Sequence, residues 1–228
     1  MNSVHPLVIL FDIDGTLLTV DSNFNRPLIR GILDDLNINY PNMESDPFSG
    51  RTDHDILTSF LANHNFDEAL YQELKSVYLE RITTRIQKEH VFRQPHIDNA
   101  ISFFDDLGSY MGLLTGNYPS AATAKLKAAD IHFDFNFGAF GEFDTDRNQL
   151  PMIALDTVRK NLGVEPDPTK FIIIGDTPRD IECAQYAGMK SVAVTTGKFS
   201  NEELSACKPD LVLENLENPE LWFKELIF

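Results

Sequence analysis

Cysteine is scarce in this chain of 228 residues: Cys183 and Cys207 are its only two. They have no metal-ligand spacing, which excludes a disulfide scaffold or a zinc finger as the basis of the fold. Such usage suits a reducing compartment, and Cys183, on a predicted helix, reads as a small buried apolar residue. Basic residues are few as well, 19 Lys and Arg against 35 Asp and Glu, for a formal net charge of −16. Without a basic face the chain is a poor partner for nucleic acid or an anionic membrane surface. A small anionic ligand stays open, because local cations set the field inside a site. Long apolar runs are missing too. The first, Leu7–Phe11, is broken at once by Asp12 and Asp14, so neither a secretory leader nor a membrane span is expected. The expected location is cytoplasmic. Internal repeats and low-complexity tracts are absent.

What is present is 43% apolar residues with 24% charged, which excludes a disordered chain and suffices for one sizeable core plus an appendage. From Ile97 onward helix and strand patterns alternate. Helices are predicted over Ile97–Leu107, from Pro119, over Pro151–Leu162 up to Gly163, and over Pro178–Ala187 up to Gly188. A further helix opens at the capping box Ser200-Asn201-Glu202-Glu203, and Pro219–Leu226 closes the chain. Strands are predicted at Leu7–Phe11, Tyr110–Leu114, Phe135–Phe140, Phe171–Ile174 and Ser191–Val194, with a short edge strand at Leu211–Leu213. Between the first two strands lies an insertion too long for a βα crossover. Its apolar stripes are helical: Leu28, Ile29, Ile32, Leu33 and Leu36, then Ile56, Leu57, Phe60 and Leu61, then Leu70, Leu74, Val77, Tyr78, Ile82 and Ile86. Three striped helices without strands make a small bundle. The expected organisation is an α/β core of residues 1–20 and 95–228 with a helical-bundle domain of residues 21–94.

The chemistry concentrates where strands end. Asp12-Ile13-Asp14-Gly15-Thr16 follows the first apolar run directly. Carboxylates at i and i+2 of an extended segment point the same way. Like charges held so close call for a divalent cation between them. That leaves one carboxylate as nucleophile and its neighbour as acid/base; a helix-capping acidic turn is the bland use of the same residues. Phe171–Ile174 runs into Gly175-Asp176-Thr177-Pro178-Arg179-Asp180, and Tyr110–Leu114 into Thr115-Gly116-Asn117. Polar groups at three strand C-termini sit where open α/β sheets bind ligands.

With these motifs the chain resembles the haloacid dehalogenase superfamily of phosphohydrolases, from Leu7 to about Val194, and among them phosphoglycolate phosphatases. The resemblance implies an open parallel sheet with helices on both faces and the helical insertion as a cap. The Asp12 strand is then expected between the Leu114 and Ile174 strands. It also implies a magnesium-dependent phosphatase for a small phosphorylated metabolite, as monomer or homodimer. Asp12 would form an aspartyl-phosphate and Asp14 would serve as general acid and then base. Magnesium would bind Asp12, the Asp14 carbonyl and Asp176, with Asp180 orienting from behind. Gly15 and Thr16 would stand at the substrate. Thr115 with the Gly116 and Asn117 amides would hold phosphate oxygens, a structural turn being the other reading of Asn117.

The sequence departs from the family at the expected lysine. The stretch reads Asp144-Thr145-Asp146-Arg147-Asn148-Gln149-Leu150-Pro151, so Arg147 is expected to supply that charge, bridging phosphate and carboxylate. Lys125 and Lys127 are read as solvated on a helix face. Arg51, after Gly50 and before a helix N-cap, is the cap's candidate substrate contact, or else a surface cation. Within the superfamily a dehalogenase would lack Asp14, and a phosphonate hydrolase would need a Schiff-base lysine where Arg51 stands. A P-type ATPase would need membrane helices. A hexose phosphomutase would use a histidine in the cap linker, and none lies between Asp14 and His54. A non-catalytic binding protein on this fold would have lost Asp12, Asp14 or Asp176.

Overall fold

Val8, Ile9, Leu10 and Phe11 are all fully buried, so β1 (Val8–Phe11) is covered on both faces, as the central strand of a parallel sheet must be. The computed structural model describes residues 6–43, 45–62, 67–142 and 144–227; residues 1–5, at the start of the expected core domain, lie outside them. After a tight turn the chain makes β2 (Leu18–Val20) and three helices, α1 (Ser22–Asp35), α2 (Asp53–Phe60) and α3 (Glu68–Arg85), and returns through β3 (Val91–Arg93). α4 (Ile97–Asp106), β4 (Tyr110–Thr115), α5 (Pro119–Ala128) and β5 (Phe137–Phe140) follow. Then come α6 (Leu150–Leu162), β6 (Phe171–Gly175), α7 (Pro178–Ala187), β7 (Lys190–Val194), α8 (Asn201–Ala206), β8 (Leu211–Leu213) and α9 (Pro219–Ile227).

The main sheet has six strands in the order β5-β4-β1-β6-β7-β8, every pair parallel. β1 thus lies between β4 and β6, as expected. Both neighbours follow it in the chain but lie on opposite sides of it, the sheet growing outward through β4 and β5 one way and β6, β7 and β8 the other, so strand order reverses there and a crevice opens at the C-terminal edge. The register brings the motifs together. Phe11 pairs with Leu113 on one side and Ile174 on the other, which sets Asp12, Thr115 and Asp176 at one sheet end.

The helices end as their sequences dictate. Gly163 and Gly188 close α6 and α7 in the left-handed conformation, and Ser200 with Glu203 forms the capping box of α8. In the insertion, Leu28, Ile32, Leu57, Phe60, Leu74 and Ile82 are buried in one continuous cluster with the core side of the sheet. Pro27 sits inside α1, in its second turn. One element departs from the expectation of a strand-free insertion. β2 and β3 pair antiparallel, Leu18 opposite Arg93 and Val20 opposite Val91, where the chain leaves and rejoins the core. The expected strand from Phe135 begins instead at Phe137.

Candidate active site

Asp12 continues the sheet ladder by one bond, its amide donating to the Ile174 carbonyl at 2.9 Å, so its carboxylate is aimed by a rigid strand. It is only 4% exposed. Ile13 then accepts from Leu17 and Leu18 and turns the chain sharply. Gly15 makes that turn possible: its φ is +98°, and a Cβ would lie 2.2 Å from Asp176 Oδ2. Thr16 is buried, and its hydroxyl has no hydrogen-bond partner.

Arg147 reaches this point from a short 3₁₀ turn (Arg147–Gln149) ahead of α6. Its Nη2 donates to Asp12 Oδ1 at 2.7 Å and Asp180 Oδ1 at 2.6 Å, with all three side chains buried. Nη1 donates to the Gly50 carbonyl at 3.3 Å, and Nε is buried without a partner. Burial alone would weaken the guanidinium's hold on its proton, but Asp180 and Asp12 more than reverse this and raise its pKa. The turn is held from behind by Cys183, whose thiol, pushed up to about 12 by burial, donates to the Arg147 carbonyl at 3.2 Å. Asp180 Oδ2 accepts from the Thr177 amide and hydroxyl at 3.0 and 2.7 Å. Both Asp180 oxygens are therefore engaged, which suits a group that orients others.

Asp12, Asp176 and Asp180 each offer an oxygen, the three within 4.8 Å of one another. Burial first, and then the neighbouring carboxylates, push the pKa values of Asp12 and Asp176 well up, Arg147 opposing. One guanidinium does not balance this much buried acid. Asp176 Oδ1 is buried with no hydrogen-bond partner, an arrangement that needs an explanation. A divalent cation supplies one: it satisfies the orphaned oxygen and the charge deficit together. An all-oxygen donor set selects a hard ion of the magnesium or calcium type. The residues fit the group.

Asp14 turns toward the other side of the cavity. Its Oδ2 accepts from Asn117 Nδ2 at 2.7 Å and from Lys125 Nζ at 2.7 Å. Lys125 also donates to Asn117 Oδ1 at 2.6 Å, and Asn117 Nδ2 to Thr115 Oγ1 at 2.7 Å. The expectation that Lys125 is solvated is therefore overturned: it is 7% exposed and bound to a motif carboxylate. Burial opposes its charge, yet Asp14 and Asp53 raise its pKa. The signal was in the sequence. Ala121, Ala122, Lys125 and Ala129 are all buried, so the lysine occupies an apolar-stripe position of α5. Asn117 contributes its side-chain amide to this network as well as forming a turn.

Asp53 also escaped sequence reasoning. It starts α2, is buried, and accepts from the Tyr118 amide at 2.9 Å and the Tyr78 hydroxyl at 3.3 Å. Its own amide donates to the Gly116 carbonyl at 2.7 Å. Thr52 caps α2 through the Asp55 amide and donates to the Asp144 carbonyl at 2.9 Å. The insertion is thus latched to the strand-end loops. Gly116 is required there, since a Cβ would lie 2.2 Å from the Arg51 carbonyl. Arg51 lines the cavity, but its guanidinium is tied down. Nε donates to Asp55 Oδ2 at 2.6 Å and Nη1 to Asp46 at 3.0 Å, so its charge is neutralised within the insertion.

A cavity of about 450 Å³ joins these groups, with Asp12, Asp14, Thr115, Lys125, Arg147 and Asp176 all on its wall.

The haloacid dehalogenase-like hydrolase profile matches residues 9–194. A phosphoglycolate phosphatase of Shigella boydii is 24% identical over 139 residues, 61% of this chain and 54% of that protein. The chain thus spans about half the length of that relative. A probable phosphatase, IndB, of Dickeya dadantii is 26% identical over 92% of this chain and 89% of its own. Among solved structures, one from Clostridium acetobutylicum described as a predicted phosphatase superposes with a TM-score of 0.73 at 20% identity, covering 97% of this chain and 99% of that one. The β-phosphoglucomutase of Clostridium difficile gives 0.70 at 20%, covering 97% of each. Motifs at three strand ends and a profile spanning most of the sheet lead to one conclusion: this chain is a member of the haloacid dehalogenase-like hydrolase family.

Proposed function

We propose that the protein is a magnesium-dependent phosphatase that transfers the phosphoryl group of a small phosphomonoester to Asp12 and then to water. We read residues 21–94 as its cap and residues 1–20 and 95–228 as its core. The observation that carries the proposal is the placing of Asp12: a buried carboxylate on a rigid strand end, beside Arg147 and Asp176, with Asp14 across the same cavity.

Phosphoryl transfer needs an in-line nucleophile, positive charge about the transferring oxygens and a proton for the leaving alcohol. Asp12 is the nucleophile; Arg147 anchors the oxygen that does not attack. Asp14 is the only acid of its motif that is partly open to the cavity, at 39% side-chain exposure. It protonates the leaving oxygen and then takes a proton from the attacking water. Thr115, Gly116 and Asn117 border the phosphate, and Lys125 and Asn117 fix the Asp14 carboxylate. Asp12, Asp176 and the Asp14 carbonyl would hold magnesium, which when bound supplies charge neutralisation at the phosphate.

Among the described histidines of the insertion, His54 pairs with the Tyr71 hydroxyl, and His90 stacks on Phe24 and accepts from the Gln87 amide; neither lines the cavity, so neither supports a hexose phosphomutase. Hydrolysis of an aryl phosphate, assayed with and without magnesium, tests the proposal. Turnover that requires the ion and is lost in Asp12→Asn is expected. Absence of turnover under all metal conditions contradicts it.

A further inference from the structure

The Asp14 carboxylate is far more open than those of Asp12 and Asp180, so burial does not aim it. Its donors do. Among the described residues it is bonded only by Asn117 Nδ2 and Lys125 Nζ, each at 2.7 Å. Both donors belong to one segment: Asn117 stands in the turn between β4 and α5, and Lys125 lies on α5, where it also donates to Asn117 Oδ1 at 2.6 Å. Whatever sets that turn and the start of that helix therefore sets Asp14.

Asp53, the first residue of α2 in the insertion, grasps the turn from both sides. Its amide donates to the Gly116 carbonyl at 2.7 Å, and its Oδ2 accepts from the Tyr118 amide at 2.9 Å. The two bonds straddle Asn117, whose own carbonyl accepts from the Gly141 amide at 3.2 Å on the core side. Three consecutive residues are thus fixed through their backbones. Tyr118 is also the N-cap of α5, and its side chain makes no cap bond. The Asp53 carboxylate takes an amide at that helix start and sets negative charge at the positive end of the dipole. Asp53 is itself held: the Tyr78 hydroxyl donates to the same oxygen at 3.3 Å, and Thr52 caps the helix that Asp53 begins.

We propose that Asp53 is a positioning residue for proton transfer, acting from the insertion on Asp14 through Asn117 and the start of α5. The proposal rests on the phosphatase reading above. As the bond from phosphorus to the leaving oxygen breaks, the proton on Asp14 passes to that oxygen; an Asp14 whose donors have shifted delivers it poorly. Asp53 need not touch the substrate for this, since its Oδ2 is occupied by Tyr118 and Tyr78. The insertion then takes part in the chemical step as well as covering the site.

The test reads kcat/KM of the magnesium-loaded full chain for a series of aryl phosphates. The series runs from 2,4-dinitrophenyl phosphate, whose leaving group needs no proton, to phenyl phosphate, whose leaving group needs one. In Asp53→Ala the phenyl-to-dinitrophenyl ratio should fall about tenfold below wild type, a part of what a general acid supplies. Asp53→Asn keeps an oxygen for the Tyr118 amide and should hold the ratio within about threefold of wild type. Asp53→Ser, whose oxygen is one atom short of that amide, stands in for Asp53→Ala should the latter not fold, and should give the same fall. An unchanged ratio in the Ala or Ser variant, whatever the absolute rates, makes Asp53 a structural latch and overturns the proposal. An equal fall in Asp53→Asn overturns it too, because charge and not the grip on the turn would be the cause. If the wild type hydrolyses none of the aryl phosphates, the phosphatase reading falls and this proposal with it.

Discussion

At the scale of single residues, two buried cations divide the site between them. Arg147 grips Asp12 and Asp180; Lys125 grips Asp14 and Asn117. Arg147→Ala should lower kcat/KM by about a hundred- to a thousandfold, the range for a lost electrostatic donor. It should also destabilise the metal-free protein by about 3–5 kcal/mol, because Asp12 and Asp180 lose their buried partner. Arg147→Lys should recover only part of each, lysine being a point charge on a shorter reach. Steady-state kinetics and denaturant melts check both; unchanged kinetics would remove Arg147 from the chemistry. Lys125→Met should cost about a hundredfold in kcat with a smaller change in KM, since it frees Asp14 to swing. A loss confined to thermal stability would make Lys125 structural only. The sequence made Arg147 legible because a basic residue stood where a cation was wanted. Lys125 was hidden because lysine is ordinarily solvated, and only its place in the alanine stripe betrays it.

At the scale of elements, the latch between α2 and the strand-end loops gives two tests. Thr52 both caps α2 and holds the Asp144 carbonyl. Thr52→Ala should cost about 1–2 kcal/mol of stability by denaturant titration, as N-cap losses do. Asp53 is raised by burial from 3.8 to about 6, Lys125 opposing. Folded protein therefore binds the Asp53 proton more tightly than unfolded protein, and ionising it costs stability. Wild type should lose stability relative to Asp53→Asn as pH rises from about 4 to 6, by up to about 1.4 kcal/mol per pH unit, and show no further difference above. Parallel curves for the two proteins would show that Asp53 is not titrating there. The long strands and helices were readable because both faces of β1, β4 and β6 are apolar and the helices carry clear stripes and caps. β2 and β3 were not, because Leu18-Thr19-Val20 and Val91-Phe92-Arg93 are short, mixed and partly exposed, unlike the all-apolar Leu211–Leu213; what defines them is pairing across the insertion.

At the scale of the molecule, the order of strands does what no local pattern states: it brings Asp12, Thr115 and Asp176 from three distant segments to one crevice. Apolar runs ending in acids and a threonine made the sheet and its functional edge legible. The shape of the space above that edge was not, since it depends on how α1, α2 and α3 pack over it. Net charge of −16 keeps the outer surface unsuited to polyanions, while the buried cations Arg147 and Lys125 stand among the carboxylates of the cavity. Among the described residues no helix is long and apolar enough to cross a membrane. Chelation should abolish turnover, magnesium should restore it, and calcium should bind without restoring it, its looser coordination relaxing in-line geometry. Full activity in exhaustive chelator would rule out the Asp12–Asp176 metal site.

The central claim is that Asp12 carries the phosphoryl group, and acid-quenched mass spectrometry of the enzyme during turnover of an aryl phosphate tests it most directly. One phosphoryl group on the peptide containing Asp12 is predicted, dependent on magnesium and absent from Asp12→Asn, which should also be inactive. Turnover at wild-type rate in Asp12→Asn, or a phosphoryl group trapped on another residue, would contradict it.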